Sequence, residues 1–112
     1  MKILTLFPPV AFAVFAMSAP AIAATLTGQQ FMDLHAGKCV SYTGPSIGTQ
    51  CYAADGTTQY DDTTYGTDTG TWEVRGNEVC ERFVNDPGLD CGLITSMGGG
   101  TYSDGSYTWT IN

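Results

Sequence analysis

Positive charge is scarce in this sequence, which has four lysine and arginine residues against eleven aspartate and glutamate residues in a total of 112. Beyond Lys2, only Lys38, Arg75 and Arg82 carry it. Phosphate backbones and anionic lipid surfaces repel a chain this acidic, so we expect no nucleic-acid partner. We interpret the acidity as a means of staying soluble, ahead of the alternative that it forms a cation-binding surface.

The residue patterns of common catalytic and metal sites are also missing. The sequence has one histidine, no C-x-x-C motif and no serine in a G-x-S-x-G setting. We interpret that histidine, His35, as a helix-end residue that interacts with the helix dipole. Aspartate and glutamate pairs do occur, but the aspartates lie in or beside predicted turns, and Glu78 is expected to face Arg75 across the Gly76-Asn77 turn as a cross-strand pair. These pairs are Asp61/Asp62, Asp86/Asp90 and Glu78/Glu81. We therefore expect no catalytic residue, no bound metal, no cofactor and no enzyme.

No apolar run is long enough to cross a bilayer, which takes about 20 residues. The longest, residues 3–16, is interrupted by Pro8 and Pro9. It follows Lys2 and precedes a segment of small residues ending at Ala23, which is the pattern of a secretory signal peptide. We predict a signal peptide over residues 1–23 and a single domain over 24–112. The protein should be periplasmic or secreted, with no membrane contact after cleavage.

Glycine, threonine and tyrosine are abundant beyond residue 23, a composition that favours strands and tight turns. One helix is predicted over residues 28–36, with Thr27 as N-cap, Gln30 completing a capping box and Gly37 ending it. Phe31 and Leu34 are expected to face the core.

The remainder predicts short strands separated by turns every eight to twelve residues or so, a spacing typical of an antiparallel sheet or barrel. The predicted strands are 38–43, 48–54, 57–60, 71–75, 78–84, 91–96, 101–103 and 106–111. Residues 61–70 are interpreted as a solvated loop, ahead of a calcium-binding alternative, and residues 85–88 as a turn. The predicted fold is mainly β, a small antiparallel sheet or barrel with one N-terminal α-helix, stabilised by disulfides.

Four cysteines in an exported domain indicate two disulfides, for which three pairings exist. Cys39 and Cys51 flank one predicted turn, and Cys80 and Cys91 flank another. Residues on neighbouring strands of a hairpin lie within the distance that a disulfide bridges. We therefore prefer the pairs Cys39–Cys51 and Cys80–Cys91.

Tyr52-Ala-Ala-Asp-Gly-Thr57 and Gly70-Thr-Trp-Glu-Val-Arg-Gly-Asn-Glu-Val-Cys80, followed by Cys91, form two ordered motifs. They resemble a family of small exported proteobacterial proteins with an uncharacterised domain, in which a Y-x-x-DGT hairpin precedes a GTW-x-V-x-G-(D/N)-x-x-C hairpin. The resemblance implies the β-rich fold, export and the Cys80–Cys91 disulfide, and it implies no catalytic residue.

Residues 101–107 resemble the closing hairpin of periplasmic lysozyme inhibitors, which implies a partner-binding role for Tyr102, Asp104 and Tyr107. In the alternative interpretation, Tyr107, Trp109 and Ile111 close the core. Our leading hypothesis is a non-enzymatic binding module with an unidentified protein or cell-envelope partner. The second is an inhibitor of a cell-wall hydrolase such as lysozyme. The third, an enzyme using His35, requires a carboxylate in the same cleft.

Overall fold

Ten β-strands form one antiparallel sheet that curls into a half-barrel, as seen in a computed structural model that describes residues 23–112. All but the last residue of the predicted signal peptide lie outside the described residues. The strands are β1 (Ala24–Thr25), β2 (Lys38–Thr43), β3 (Ile47–Tyr52), β4 (Thr57–Asp62), β5 (Gly66–Arg75), β6 (Glu78–Phe83), β7 (Asp86–Gly92), β8 (Thr95–Gly98), β9 (Thr101–Ser103) and β10 (Thr108–Ile111). The mainly β prediction is confirmed.

The strand order is β1-β8-β9-β10-β2-β3-β4-β5-β6-β7, so β1 and β7 are the edges of the sheet. Most neighbours are consecutive hairpins, but β10 returns to pair with β2. This pairing brings the C-terminal hairpin beside the strand that follows the helix.

The helix α1 (Gly28–His35) has Thr27 as its N-cap and lies on the concave face of the sheet. The Thr27 side chain accepts a hydrogen bond from the Gln30 backbone N–H at 3.1 Å, and the Gln30 side chain accepts one from the Thr27 N–H at 2.8 Å. This confirms the predicted capping box. Within residues 23–112, no helix has the length and apolarity that crossing a membrane would require.

The buried side of α1 differs from the expected one. Gly28, Phe31 and His35 are buried, whereas Leu34 is 36% exposed, so the prediction for Leu34 is wrong. The reason is the polar pairing of His35 inside the core, described below, which turns the histidine inward in place of the leucine.

Residues 61–70 form a hairpin, which corrects the predicted loop. Strand β4 continues to Asp62 and β5 begins at Gly66, whose φ is 78°. The Asp62 side chain accepts the backbone N–H groups of Thr64 and Tyr65 at 2.7 and 2.9 Å, which closes a tight turn. The threonines on both sides favour extended backbone, so the polar composition did not prevent strand formation.

The turn predicted over residues 85–88 is also shorter than expected. Strand β7 already begins at Asp86 and tolerates Pro87 because an edge strand can omit a ladder N–H. A register shift between Glu81 and Phe83 accommodates the extra residues. The strand predicted over 91–96 is divided between β7 and β8.

Both predicted disulfides are present, and they engage all four cysteines. Cys39 lies directly opposite Cys51 in the β2–β3 register, and Cys80 lies opposite Cys91 in β6–β7. Each bridge therefore fastens one pair of neighbouring strands.

The core lies between α1 and the concave face of the sheet. Its buried apolar residues are Leu26, Phe31, Val40, Tyr52, Trp72, Val79, Ile94, Tyr102 and Trp109. Tyr107 and Ile111 pack against this cluster beside the buried Trp109. The structure thus supports the core-closing interpretation of the last strand.

The loops closed by the two disulfides span cysteines that are 12 and 11 residues apart. Closing a loop of this length removes unfolded-state entropy worth about 3 kcal/mol. We expect C39S/C51S and C80S/C91S each to lower the free energy of unfolding by about 3 kcal/mol in urea titrations. An oxidised and a fully reduced protein that unfold at the same urea concentration would contradict this.

Candidate functional site

Helix α1 covers only part of the concave face, and an open cleft of about 460 Å³ lies next to it. Aromatic rings and carboxylates make up most of its walls. They include the rings of Tyr42, Tyr60 and Tyr107 and the carboxylates of Glu81, Asp90 and Asp104. The cleft is continuous with the core, since Phe31 and Val40 also line it.

The alternation of side chains along each strand explains why core and cleft share one face. Residues two apart in a strand point to the same side of the sheet. In β2 the inward row passes from Val40 to Tyr42, and in β6 from Val79 to Glu81. The first member of each pair is buried in the core, and the second lines the cleft.

Glu81 is the central carboxylate of the cleft and is partly buried. Its Oε2 accepts hydrogen bonds from the Gln50 side-chain amide at 3.3 Å and from the Tyr52 hydroxyl at 3.2 Å. Burial raises the pKa of Glu81, and the charges of Asp90 and Asp104 raise it further, against the two hydrogen bonds. Asp90 lies directly opposite Glu81 in the β6–β7 register. Three carboxylates therefore act on the same region of the cleft.

A second carboxylate, Asp62, is part of a satisfied polar wall. The Tyr42 and Ser46 hydroxyls donate to its Oδ2 at 2.7 and 2.6 Å, and the Ser46 and Tyr107 hydroxyls are 3.0 Å apart. Burial acts to raise the pKa of Asp62, but its hydrogen bonds outweigh burial and hold that pKa well below the ordinary value. Burial and the bond to Asp62 raise the pKa of Tyr42. All three hydroxyls of this wall are hydrogen-bonded, and the lowered pKa keeps Asp62 ionised at neutral pH.

No lysine or arginine in the described part of the chain lines this cleft. Arg75 forms an ion pair with Glu73 at the surface. Arg82 lies opposite Thr71 in the β5–β6 register, and both are exposed. Carboxylates gathered in a concave site without a cation produce a negative potential there.

His35 is fully buried beside the cleft and does not open into it. Its Nδ1–H donates to the Phe31 carbonyl at 3.1 Å, and its Nε2 accepts from the Trp109 indole N–H at 3.0 Å. Burial lowers its pKa from 6.5 to about 4, against the bond to Phe31. His35 is the last residue of α1, so its helix-end position is confirmed, but a neutral imidazole gains little from the helix dipole, and that part of the interpretation is corrected. Neither ring nitrogen is free to accept a substrate proton.

The three residues predicted to bind a partner have different positions. Tyr102 is 9% exposed and packs against His35 with ring centroids 5.4 Å apart, so it is a core residue. Tyr107 is partly buried and lies edge-on to Tyr42, with centroids 5.3 Å apart. Asp104 is exposed. The structure brings Asp104 and Tyr107 together at the rim of the cleft, without Tyr102.

Asp104 is held in place by its own loop. Its Oδ1 accepts the backbone N–H groups of Ser106 and Tyr107 at 2.9 and 2.8 Å. Such a side chain loses little freedom when a partner binds, because its orientation is already fixed.

Sequence reasoning missed Glu81, Asp90 and Tyr60 as residues of one site. The alternation of side chains along each strand could have found them. Each of the three lies on the same face of its strand as a core residue, or as a residue that a core residue faces on the neighbouring strand.

Glu78 lies opposite Arg75, as expected from their turn. Across residues 23–112, no three histidine, cysteine, aspartate or glutamate residues are arranged so that they could hold a metal ion.

Comparison with models of known protein families, with curated proteins and with solved structures finds no significant match. The chemistry of the cleft is therefore the main guide to function.

The buried His35 predicts a specific pH dependence of stability. The unfolded chain binds a proton at His35 below pH 6.5, whereas the folded chain does so only near pH 4, so acid favours unfolding in this window. H35Q keeps an acceptor for the Trp109 N–H but does not titrate. From pH 6.5 to pH 4, we expect the wild-type free energy of unfolding to fall more than that of H35Q, by at most about 3 kcal/mol.

Asp62 acts in a different pH window. The pKa of Asp62 lies well below its ordinary value of 3.8, so its contribution is present above that pH and is lost below it. Urea titrations at several pH values separate the two effects. Equal pH slopes for wild type and H35Q above pH 4 would show that His35 titrates normally in the folded protein.

Proposed function

We propose that this protein is an exported, non-catalytic binding module that holds its partner in the open cleft of the half-barrel. The observation that carries the proposal is the cleft itself, about 460 Å³ in volume, with aromatic and acidic walls on a pre-formed sheet. Tyrosine rings supply contact area at a low entropic cost, and the carboxylates supply orientation. Tyr60 adds to the cleft a ring that packs on Phe83 with centroids 4.9 Å apart.

The absence of catalysis is supported by the state of the reactive groups. All four cysteines are bridged, which leaves no thiol nucleophile. The imidazole of His35 is engaged at both nitrogens. The Asp62 carboxylate accepts bonds from both side chains and backbone, which suits a structural role.

Export to the periplasm or the cell exterior is supported by two observations. Disulfides form and persist in oxidising compartments, and this small domain has two. Residues 1–23 have the sequence pattern of a signal peptide. The resemblance to small exported proteobacterial proteins agrees with both, and membership of that family is part of the proposal.

Two neighbouring residues on opposite faces of β4 allow a matched test of the cleft. Tyr60 lines the cleft, and Gln59 is exposed on the convex face. Partners are captured from a periplasmic extract with the oxidised protein, and their affinities are measured after purification. We expect Y60A to weaken a specific partner roughly tenfold or more, as loss of an aromatic anchor does, and Q59A to leave it unchanged.

Both variants are compared with wild type by circular dichroism and urea unfolding, so that loss of fold is not mistaken for loss of contact. A partner whose affinity is reduced by Q59A and not by Y60A would place the binding surface outside the cleft.

Inhibition of a cell-wall hydrolase such as lysozyme is the second candidate, and the rigid position of Asp104 beside Tyr107 at the rim favours it. D104N keeps the oxygen that accepts the two loop N–H groups but removes the charge. On a panel of lysozymes, we expect wild type to inhibit at least one enzyme and D104N to inhibit it roughly tenfold less, by loss of a charge pair. D61N, which removes a convex-face charge, should inhibit like wild type. A panel that wild type leaves fully active would remove this candidate.

A further inference from the structure

Strand β7 presents a long free edge beside the cleft. It is the last strand of the sheet order, and six of its seven residues are exposed. The opposite edge, β1, has only two residues. Except at Pro87, which has no N–H, a free edge of this length carries backbone donors and acceptors that another extended chain can use.

The disulfide shows which backbone groups of β7 point outward. The Cα atoms of Cys80 and Cys91 are 4.0 Å apart. Such a short separation marks a non-hydrogen-bonded pair of an antiparallel ladder, in which the N–H and C=O groups turn away from the partner strand. The N–H and C=O of Cys91 therefore point to the free edge, and so does the C=O of Leu89, which shares a peptide unit with the inward N–H of Asp90.

The side chains beside this edge are acidic on the concave side. Asp90 lines the cleft from β7 itself, Glu81 lies opposite it, and Asp104 faces them from the rim. Among the residues that the structure describes, no lysine or arginine lines the cleft. Tyr60 and Phe83 supply aromatic surface near the same carboxylates.

We propose that the free edge of β7 takes an extended basic segment of a partner polypeptide as an additional strand, with its lysine and arginine side chains directed into the acidic cleft. The proposal rests on the proposed function and names the chemistry of its partner. Backbone bonds to the N–H and C=O of Cys91 and to the C=O of Leu89 supply affinity, as in other cases of strand addition. Every second side chain of the segment faces the cleft, about 7 Å from the next, and meets carboxylates and tyrosine rings.

A second copy of this chain fits the same edge poorly. Two β7 edges would bring Asp86 and Asp90 of both copies close together, and like charges on adjacent strands destabilise a sheet. Charge complementarity therefore favours a basic partner over self-association.

The probe is an eight-residue peptide of alternating lysine and threonine, added to the oxidised protein and followed by NMR and amide hydrogen exchange. We expect binding to slow exchange at the Cys91 amide and to weaken as salt is added. D90N should weaken binding several-fold to about tenfold, and D61N, an equal change of charge on the convex face, should not.

A peptide with glutamate in place of lysine should not bind. The proposal is overturned by binding without protection of the β7 amides, by equal effects of D90N and D61N, by equal binding of the glutamate peptide, or by no binding at millimolar peptide. Protection of the same amides by protein concentration alone would assign the edge to self-association. If the captured partner still depends on Tyr60 while the peptide leaves β7 unprotected, strand addition fails and the proposed function stands.

Discussion

The hydrogen bond from Trp109 to His35 joins the helix to the last strand and determines how the concave face is divided. The imidazole is neutral, stacks on Phe31 with centroids 3.9 Å apart and has no exposed surface. A buried polar group is tolerated when its hydrogen bonds are made, and both nitrogens of His35 make theirs. With the helix fixed at this position, one part of the half-barrel becomes the core and the other remains a cleft.

Core and cleft are built from the same rows of side chains, so their difference is chemical rather than architectural. Val79 gives way to Glu81 two positions along β6, and the register places Glu81 opposite Asp90. Like charges across neighbouring strands destabilise a sheet, and burial adds to the cost of ionising Glu81. A small domain that keeps such a pair gives up stability, which is expected at sites used for binding.

Local features of the sequence were enough for the helix cap, for strands β2 and β6 and for the cysteine pairing. Thr27 and Gln30 interact within one helical turn, and Cys39 and Cys51 belong to one hairpin, so sequence distance is a good guide to contact. The hairpin at residues 61–70 was missed because its aspartates and threonines resemble a loop in composition, although Asp62 uses its side chain to make the turn. The pairing of β10 with β2 joins Trp109 to Tyr42 across the chain, and no local signal predicts it.

The candidate site was less predictable for a related reason. Asp104 and Tyr107 are close in sequence and were found together, whereas Glu81 and Asp104 come to line one cleft only after the sheet has curled. Strand parity shows that Glu81 points inward, but it does not say whether an inward position lies under the helix or beside it. That depends on the length of α1, which ends at His35, and on where Trp109 holds it.

The two disulfides therefore differ in what they support. Cys39–Cys51 joins two interior strands, each with a further neighbour. Cys80–Cys91 fastens β7, an edge strand with a register shift and few buried side chains, whose own packing holds it weakly. A strand that is already ordered costs less entropy when another chain binds to it. In the proposed strand addition, this bridge stabilises the fold and also keeps the binding edge extended before the partner arrives.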